Sequence, residues 1–483
     1  MKTKRNKSQQ CHTLGFLGVF VCMQAAMIHM TSETGIAAIV RTAVRPLQEF
    51  IVPMDPSTQR VARRLSNRIR TRLGTDISAS RLTYSVQERR EFLKKTISLH
   101  FVSEGNDHPL DVTWQTNLQA HPEWVTLNAS VPNHPFFLNK DKIAASLIEF
   151  SLGQIPIVQH ALVSNTYKDH TIMRVELKGN PVDGFTLDVD SVAEQMVSAL
   201  GNDQAELTVS LQYKLGTITY PGAEGPQTLV HLSTGKSEFS HSPYGRIKNV
   251  HKVINEKING AIAPMGKVFS FNSTLGGPIT HGNGWLDSLV IVNGHDLVPE
   301  AGGGICQGAT TTMRAVVLAG LPIHERKNHS LYVIHYKQYG MGIDATVYPG
   351  KQDLTFTNDT PGDLVFLGHT VGEEAFVDLY GIPDGRMVQL EGPYFASTAP
   401  TNFLVRNRPL ASSEVGWNNT VTYGSGSTRH ETIVSRYEKM PHSLAKEYPV
   451  SRGIAELLGA PIAADTSAAP LASVTQTIAA LRQ

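Results

Sequence analysis

Apolar residues fall four apart at Val61, Leu65, Ile69 and Leu73, and Arg60, Arg63, Arg64, Arg68, Arg70 and Arg72 fill the remaining faces. That spacing predicts a basic amphipathic helix over residues 57–73. It suits either an anionic lipid or wall-polymer surface, or a narrow stripe packed on a neighbouring domain. Beyond it the period changes. Short apolar runs predict strands at 97–102, 110–114 and 124–127, and apolar–polar alternation predicts them at 171–177 and 206–219. Asn139 can cap a helix carrying Ile143, Leu147 and Ile148, and Ser191-Val-Ala-Glu194 reads as a capping box for a helix ending at Gly201. Residues 80–220 thus read as a mixed α/β domain with no catalytic constellation.

Tyr220-Pro-Gly-Ala-Glu-Gly-Pro226 concentrates turn residues and predicts a linker over 221–234. A second body follows at 235–381. It holds a helix near 247–258, a glycine-rich middle, a helix near 307–319 ended by Gly320 and Pro322, and strands at 330–336, 343–348, 353–357 and 363–368. Strand candidates continue through 382–457. Residues 458–483, rich in Ala, Thr and Ser, predict a mobile tail. The expected class is multidomain α+β, with an α/β accessory domain ahead of the second body.

Length and charge refine this picture. A chain of 483 residues accommodates two or three domains, and a net charge of +1 gives no global field for nucleic acid. The charge is uneven, with twelve Lys/Arg against three Asp/Glu in residues 1–75. Lys2, Lys4, Arg5 and Lys7 precede a stretch without charged side chains over 8–32, its apolar centre near 14–28. Residues 1–35 therefore read as a signal peptide or retained anchor, followed by a basic juxtamembrane segment at 36–79. The body is expected outside the cytoplasm, membrane-anchored or secreted.

Cysteines occur only at 11, 22 and 306, so the folded body has no disulfide framework. A lone cysteine is most often a buried small residue. Cys306, however, follows Gly302-Gly303-Gly304 at the start of a helix, where aligned backbone dipoles favour a thiolate. His329 opens the next apolar run and Asp344 lies in the one after. If those two runs pair as antiparallel strands beside the helix, imidazole reaches the thiol and carboxylate orients the imidazole, the logic of a thiol nucleophile with base and orienting acid. Each residue also has a structural reading, as space filler, cap and turn acceptor. His281, His295, His324, His329 and His335 are numerous but lack tight ligand spacing, and no metal or cofactor is implied.

The residues quoted so far belong to a longer pattern. Arg246-Ile-Lys-Asn-Val250, Gly266-Lys-Val-Phe-Ser-Phe-Asn272, Gly302-Gly-Gly-Ile-Cys-Gln307, Glu325-Arg326, His329-Ser330 and Asp344-Ala-Thr-Val347 together resemble the VanW family, named for an accessory protein of some vancomycin-resistance clusters. The resemblance covers about 235–381. Gly184-Phe-Thr-Leu-Asp188 and its following helix resemble the peptidoglycan-binding domain that often precedes VanW in exported bacterial proteins. Where the family usually carries a Ser-Thr-Thr-Leu-Tyr-Asn-Ala-like run, this chain has Ala309, Thr312, Met313 and Arg314 in place of Ser, Leu, Tyr and Asn.

The resemblance implies an envelope protein whose partner is peptidoglycan or another wall polymer, with the membrane met through the N-terminal segment. A papain- or transglutaminase-like arrangement of helix and strands is expected. Cys306, His329 and Asp344 are the candidate catalytic residues, for thiol-dependent acyl transfer or hydrolysis on peptidoglycan peptides. Backbone amides near 304–307 would stabilise an oxyanion. Gly302, Gly303, Gly304, Gln307 and Ser330 are the candidate binding residues. The competing reading is a non-catalytic wall-binding or assembly protein whose glycine run forms a ligand groove. Oligomeric state has no readable signature.

Overall fold

The computed structural model describes residues 55–105, 107–127, 136–222, 225–292, 296–438 and 474–476. The signal or anchor expected at 1–35 and almost all of the expected tail lie outside the described residues. Among the described residues, no helix is long and apolar enough to cross a membrane. The chain divides into two compact units, residues 1–156 with 185–213, and residues 157–184 with 214–483. Helices and strands mix in both, and the protein is multidomain α+β.

The first unit begins with α1 (Pro56–Leu73) and α2 (Ala79–Leu93), then β1 (Thr96–Ser103), β2 (Asp111–Asn117), β3 (Val125–Leu127), β4 (Phe136–Leu138) and α3 (Lys140–Gln154). Asn139 caps α3 as expected, accepting from the Lys142 amide at 3.0 Å. In α1 the buried residues are Thr58 and Ala62, while Val61 and Leu65 stay more than a third exposed. The chain leaves this unit for β5 (Ala161–Asp169) and β6 (Ile172–Lys178), then returns for β7 (Gly184–Thr186), α4 (Val189–Gly201) and β8 (Glu206–Lys214). Asp188, not Ser191, caps α4: its carboxylate takes the Ser191 amide at 2.9 Å. A four-stranded sheet runs β2-β1-β8-β7, with β1 antiparallel to β2 and parallel to β8.

The second unit is discontinuous, which the expected 80–220 boundary did not foresee. Its main sheet adds β9 (Thr217–Gly222), β10 (Gly225–Glu238), β11 (Ile262–Ala263), β17 (Leu364–Val371) and β18 (Glu374–Gly381), in the order β11-β17-β18-β10-β9-β5-β6. The segment expected as a linker at 221–234 is therefore no linker. Its turn residues sit at the β9–β10 hairpin, and β10 is the central strand. Between β10 and β17 the chain forms α5 (Tyr244–Lys252), β12 (Val268–Ser270), the hairpin β13 (Asp287–Val292) with β14 (Asp296–Ala301), α6 (Ile305–Leu318), β15 (Ile323–Glu325) and β16 (Thr355–Thr357).

Helix α6 is buried almost all round, including Thr310, Thr311, Thr312 and Arg314. One side lies on β10 and β18, where Met313, Val316 and Val317 share a core with Val377 and Leu379. The approach is close enough to need glycine: a Cβ at Gly235 of β10 would stand 1.9 Å from the Thr311 carbonyl oxygen. Another side meets a sheet formed by β19 (Met387–Tyr394), β20 (Glu414–Thr422), β21 (Thr428–Arg436) and β22 (Val474–Gln476), in the order β21-β20-β19-β22. Gly320, just past the helix, packs against Val388 and Val421 of that sheet. A helix enclosed on so many faces can hold even hydroxyls and a guanidinium, provided each finds a hydrogen bond.

Candidate active site

Gly302 and Gly304 take positive φ angles of 90° and 117° and turn the chain from β14 into α6. Gly303 lies between them, where a Cβ would stand 2.5 Å from the Ser288 carbonyl oxygen. All three glycines are buried. The groove once expected of this run is thus a packed backbone crossing, held also by the Asn249 amide group donating to the Gly303 carbonyl at 2.9 Å. Cys306 follows as the second residue of the helix and keeps a partly exposed surface.

His329 and Asp344 do not lie on paired strands, contrary to expectation. Residues 326–333 and 341–347 are irregular, joined through a short 3-10 turn at Ile334–Tyr336. Their apolar side chains Leu331, Tyr332, Met341, Ile343 and Ala345 are buried, which explains the strand-like pattern. Side chains of distant elements take the backbone groups a sheet would have paired. Arg314 donates to the carbonyls of Lys236, Tyr336, Gly340 and Ile343 at 2.6 to 3.2 Å. Thr310 bonds the amide and carbonyl of Ala345, and the Thr346 amide donates to the Lys327 carbonyl at 2.8 Å. Arg314, a departure from the family pattern, therefore anchors the segment that carries Asp344.

These anchors bring the three candidate residues together. His329 Nδ1 lies 2.6 Å from Asp344 Oδ2, and the same oxygen accepts the His329 backbone amide at 2.8 Å. Two bonds to one oxygen fix the ring and leave the other nitrogen available to the Cys306 thiol. The sulfur also lies 3.4 Å from the Val347 amide and 3.6 Å from Thr346 Oγ1. Oδ1 of Asp344 accepts from the Tyr437 hydroxyl at 2.5 Å and faces Arg326 Nη2 at 3.4 Å. Arg326 further donates to the carbonyls of Asp344, Gly342 and Val434, so it ties the irregular segment to β21.

Electrostatics follow from this packing. Burial alone would raise the Cys306 thiol, but the hydrogen bond and positive charge of His329 outweigh it, helped by Val347 and Thr346, and bring it down to about 7. Burial would likewise lower His329, yet Asp344 and the sulfur hold its proton well above the ordinary histidine range. Asp344 resists the upward push of burial because His329 and Arg326 surround it, and it falls to about 2. The three groups favour a thiolate beside an imidazolium beside a carboxylate.

The expected binding residues are otherwise occupied. Gln307 is fully buried; its Oε1 accepts from Arg246 at 2.8 Å and its Nε2 donates to Ser237 Oγ and the Glu238 carbonyl. The Ser330 carbonyl accepts from the Glu438 amide at 2.6 Å. Among the amides expected as oxyanion donors, those of Ile305 and Gln307 already bond the Gly302 and Gly304 carbonyls at 3.0 Å. Of the other histidines, His281 pairs with Asp287, His324 with Thr357, and His295 lies outside the described residues. Sequence reasoning missed Tyr437. Arg326 stood in the motif, but nothing local marked a tyrosine after the last strand of a C-terminal extension.

Comparison with known proteins gives this site a context. Residues 245–380 match the family model described as VanW like protein. Over 166 residues the chain is 31% identical to the uncharacterized protein YoaR of Bacillus subtilis (strain 168), a match covering 33% of this chain. The aligned region spans about half of that relative, 52% of its length. No solved structure matches. The peptidoglycan-binding domain expected ahead of residue 235 has no counterpart in these matches.

Proposed function

We propose that the protein, whose residues 245–380 match the model described as VanW like protein, works at the bacterial cell envelope, outside the cytoplasm, as a thiol-dependent acyl transferase or hydrolase on peptidoglycan peptides. The observation that carries this reading is His329, hydrogen-bonded to Asp344 and close enough to Cys306 to draw its thiol down. Cys306 as thiolate attacks the carbonyl carbon of a peptide bond, and the His329 imidazolium gives its proton to the departing amine. The acyl group is then a thioester on Cys306. Water or an acceptor amine attacks it, His329 takes the proton released, and the thiolate leaves. Asp344 stays ionised throughout and keeps the ring oriented.

The competing binding reading rested on the glycine run as a groove. Those glycines are buried against Ile279, Ser288 and Arg246, which favours chemistry at the thiol over capture of a ligand by the backbone. The test is incubation of the purified full chain with muropeptides, comparing wild type with Cys306→Ala. New cross-linked or shortened peptides from wild type alone are expected; identical products from both proteins sink the mechanism.

A further inference from the structure

Arg246, on α5, is a guanidinium whose donors are largely unspent. Its Nη2 gives one hydrogen bond to Gln307 Oε1, a neutral amide, and its Nε is buried with no partner. Among the described residues it has no carboxylate partner. Arg246 is itself only partly buried and shares an orphaned Nε with Arg429, whereas the fully buried arginines of this unit are saturated. Arg174 pairs with Asp169 and three carbonyls, Arg386 with Asp384 and Asp359, and Arg314 with four carbonyls. A guanidinium offers five N–H donors in a rigid fork shaped for a carboxylate. Leaving one of them buried and unmet is costly unless a ligand meets it.

Its position is fixed by residues that neighbour Cys306 in the chain. Gln307 is clamped at its far end by Ser237 and Glu238, so it pins Nη2 from a rigid base. The Arg246 side chain passes Gly304, where a Cβ would stand 3.3 Å from Arg246 Cγ. Gly304 and Gln307 flank Cys306 in the first turn of α6. His335, next to the Tyr336 ring that lies 5.4 Å from His329, is kept neutral by burial and by the charges of Arg246 and His241, down to about 4. Among the described residues, then, no ion pair neutralises Arg246, and the histidine beside it stays uncharged.

We propose that Arg246 is a specificity residue of this site and receives a carboxylate of the substrate, so that the peptide processed carries a free carboxylate close to the amide attacked by Cys306. This inference rests on the catalytic reading of Cys306 and narrows it to acidic peptide substrates. It needs no turnover to be tested. Alkylation of Cys306 by iodoacetate and by iodoacetamide is measured in the full chain at pH 7, each rate divided by that for N-acetylcysteine. The His329 imidazolium favours the anionic reagent in every variant, so the change on substituting Arg246 is the readout.

Wild type is expected to prefer iodoacetate, Arg246→Lys to retain most of that preference, and Arg246→Gln to lose about tenfold of it, the order of one charge-assisted contact. An equal preference in wild type and Arg246→Gln overturns the role of Arg246 while leaving the thiol reading intact. A Cys306 no faster than N-acetylcysteine with either reagent overturns both. Should Arg246→Gln fail to fold, wild type decides alone. N-acetyl-dialanine is expected to protect Cys306 from iodoacetamide at concentrations where its carboxamide does not, and equal protection overturns the proposal.

Discussion

The Tyr437 hydroxyl donates a 2.5 Å hydrogen bond to Oδ1 of Asp344, joining residues 93 positions apart. Oδ2 of the same carboxylate holds His329, so the phenol sets the plane in which Asp344 meets the imidazole. Tyr437 reaches it from the end of β21, its own amide bonded to the Ser413 carbonyl and its side chain 2% exposed. Burial and the neighbouring carboxylate both push the phenol up, so it remains a donor throughout the neutral range.

Tyr437→Phe keeps the ring and removes the donor, leaving Oδ1 to Arg326 alone. The expected cost is about 1.5–3 kcal/mol of stability for one buried bond to a charged group. A role in positioning predicts more. Turnover should fall about tenfold, the loss of roughly 1.4 kcal/mol from the barrier, and the midpoint of Cys306 alkylation against pH should shift. A drop in Tm with an unchanged alkylation profile would reduce Tyr437 to a structural contact.

His329→Asn removes the cation beside the sulfur but leaves the burial. The Cys306 thiol, brought from the ordinary 9.0 to about 7 by His329 against burial, should then rise above 9.0. Thiolate absorbance or iodoacetamide rates against pH would show the midpoint moving to alkaline values, and reaction at pH 7 falling at least about fiftyfold, as the thiolate fraction drops from about a half to about one in a hundred. A midpoint still near 7 would mean that the helix start alone activates the thiol.

The irregular segments around the site were the least legible part of the chain. Leu331 to Ile334 and Ile343 to Val347 look like strands because they are apolar and β-branched, yet the Val333 and Ile334 carbonyls take turn bonds from Tyr336 and Lys337, and Ile343, Asp344 and Ala345 bond Arg314, Arg326 and Thr310 rather than other strands. Side-chain anchors drawn from elsewhere in the chain leave no local period. The Cys306 helix, by contrast, was readable from its glycines and its stop at Gly320. The order cysteine, histidine, aspartate survived the wrong elements because helix, turn and return still had to pass one another. The β9–β10 hairpin reads as a linker because turn residues mark both. Nothing local says that residues 161–178 join the sheet of the second unit.

Arg314→Met tests the anchoring directly. Methionine fits the apolar surroundings, but four carbonyls lose their donor, and a loss of about 3–5 kcal/mol is expected, the scale for removing a buried charged partner. Amide exchange should rise first at 336–344. Uniform destabilisation without local opening would show that the guanidinium supports the core rather than this segment.

The match to the family model ends at residue 380, but the packed unit around Asp344 runs on to Tyr437. A fragment cut at the family boundary would keep cysteine, histidine and aspartate and still be a different molecule, with α6 stripped of one flank and Oδ1 left to Arg326 and water. Exchanging the C-terminal sheet between relatives of this protein would therefore retune the nucleophile itself, from a distance and without touching any residue of its motif.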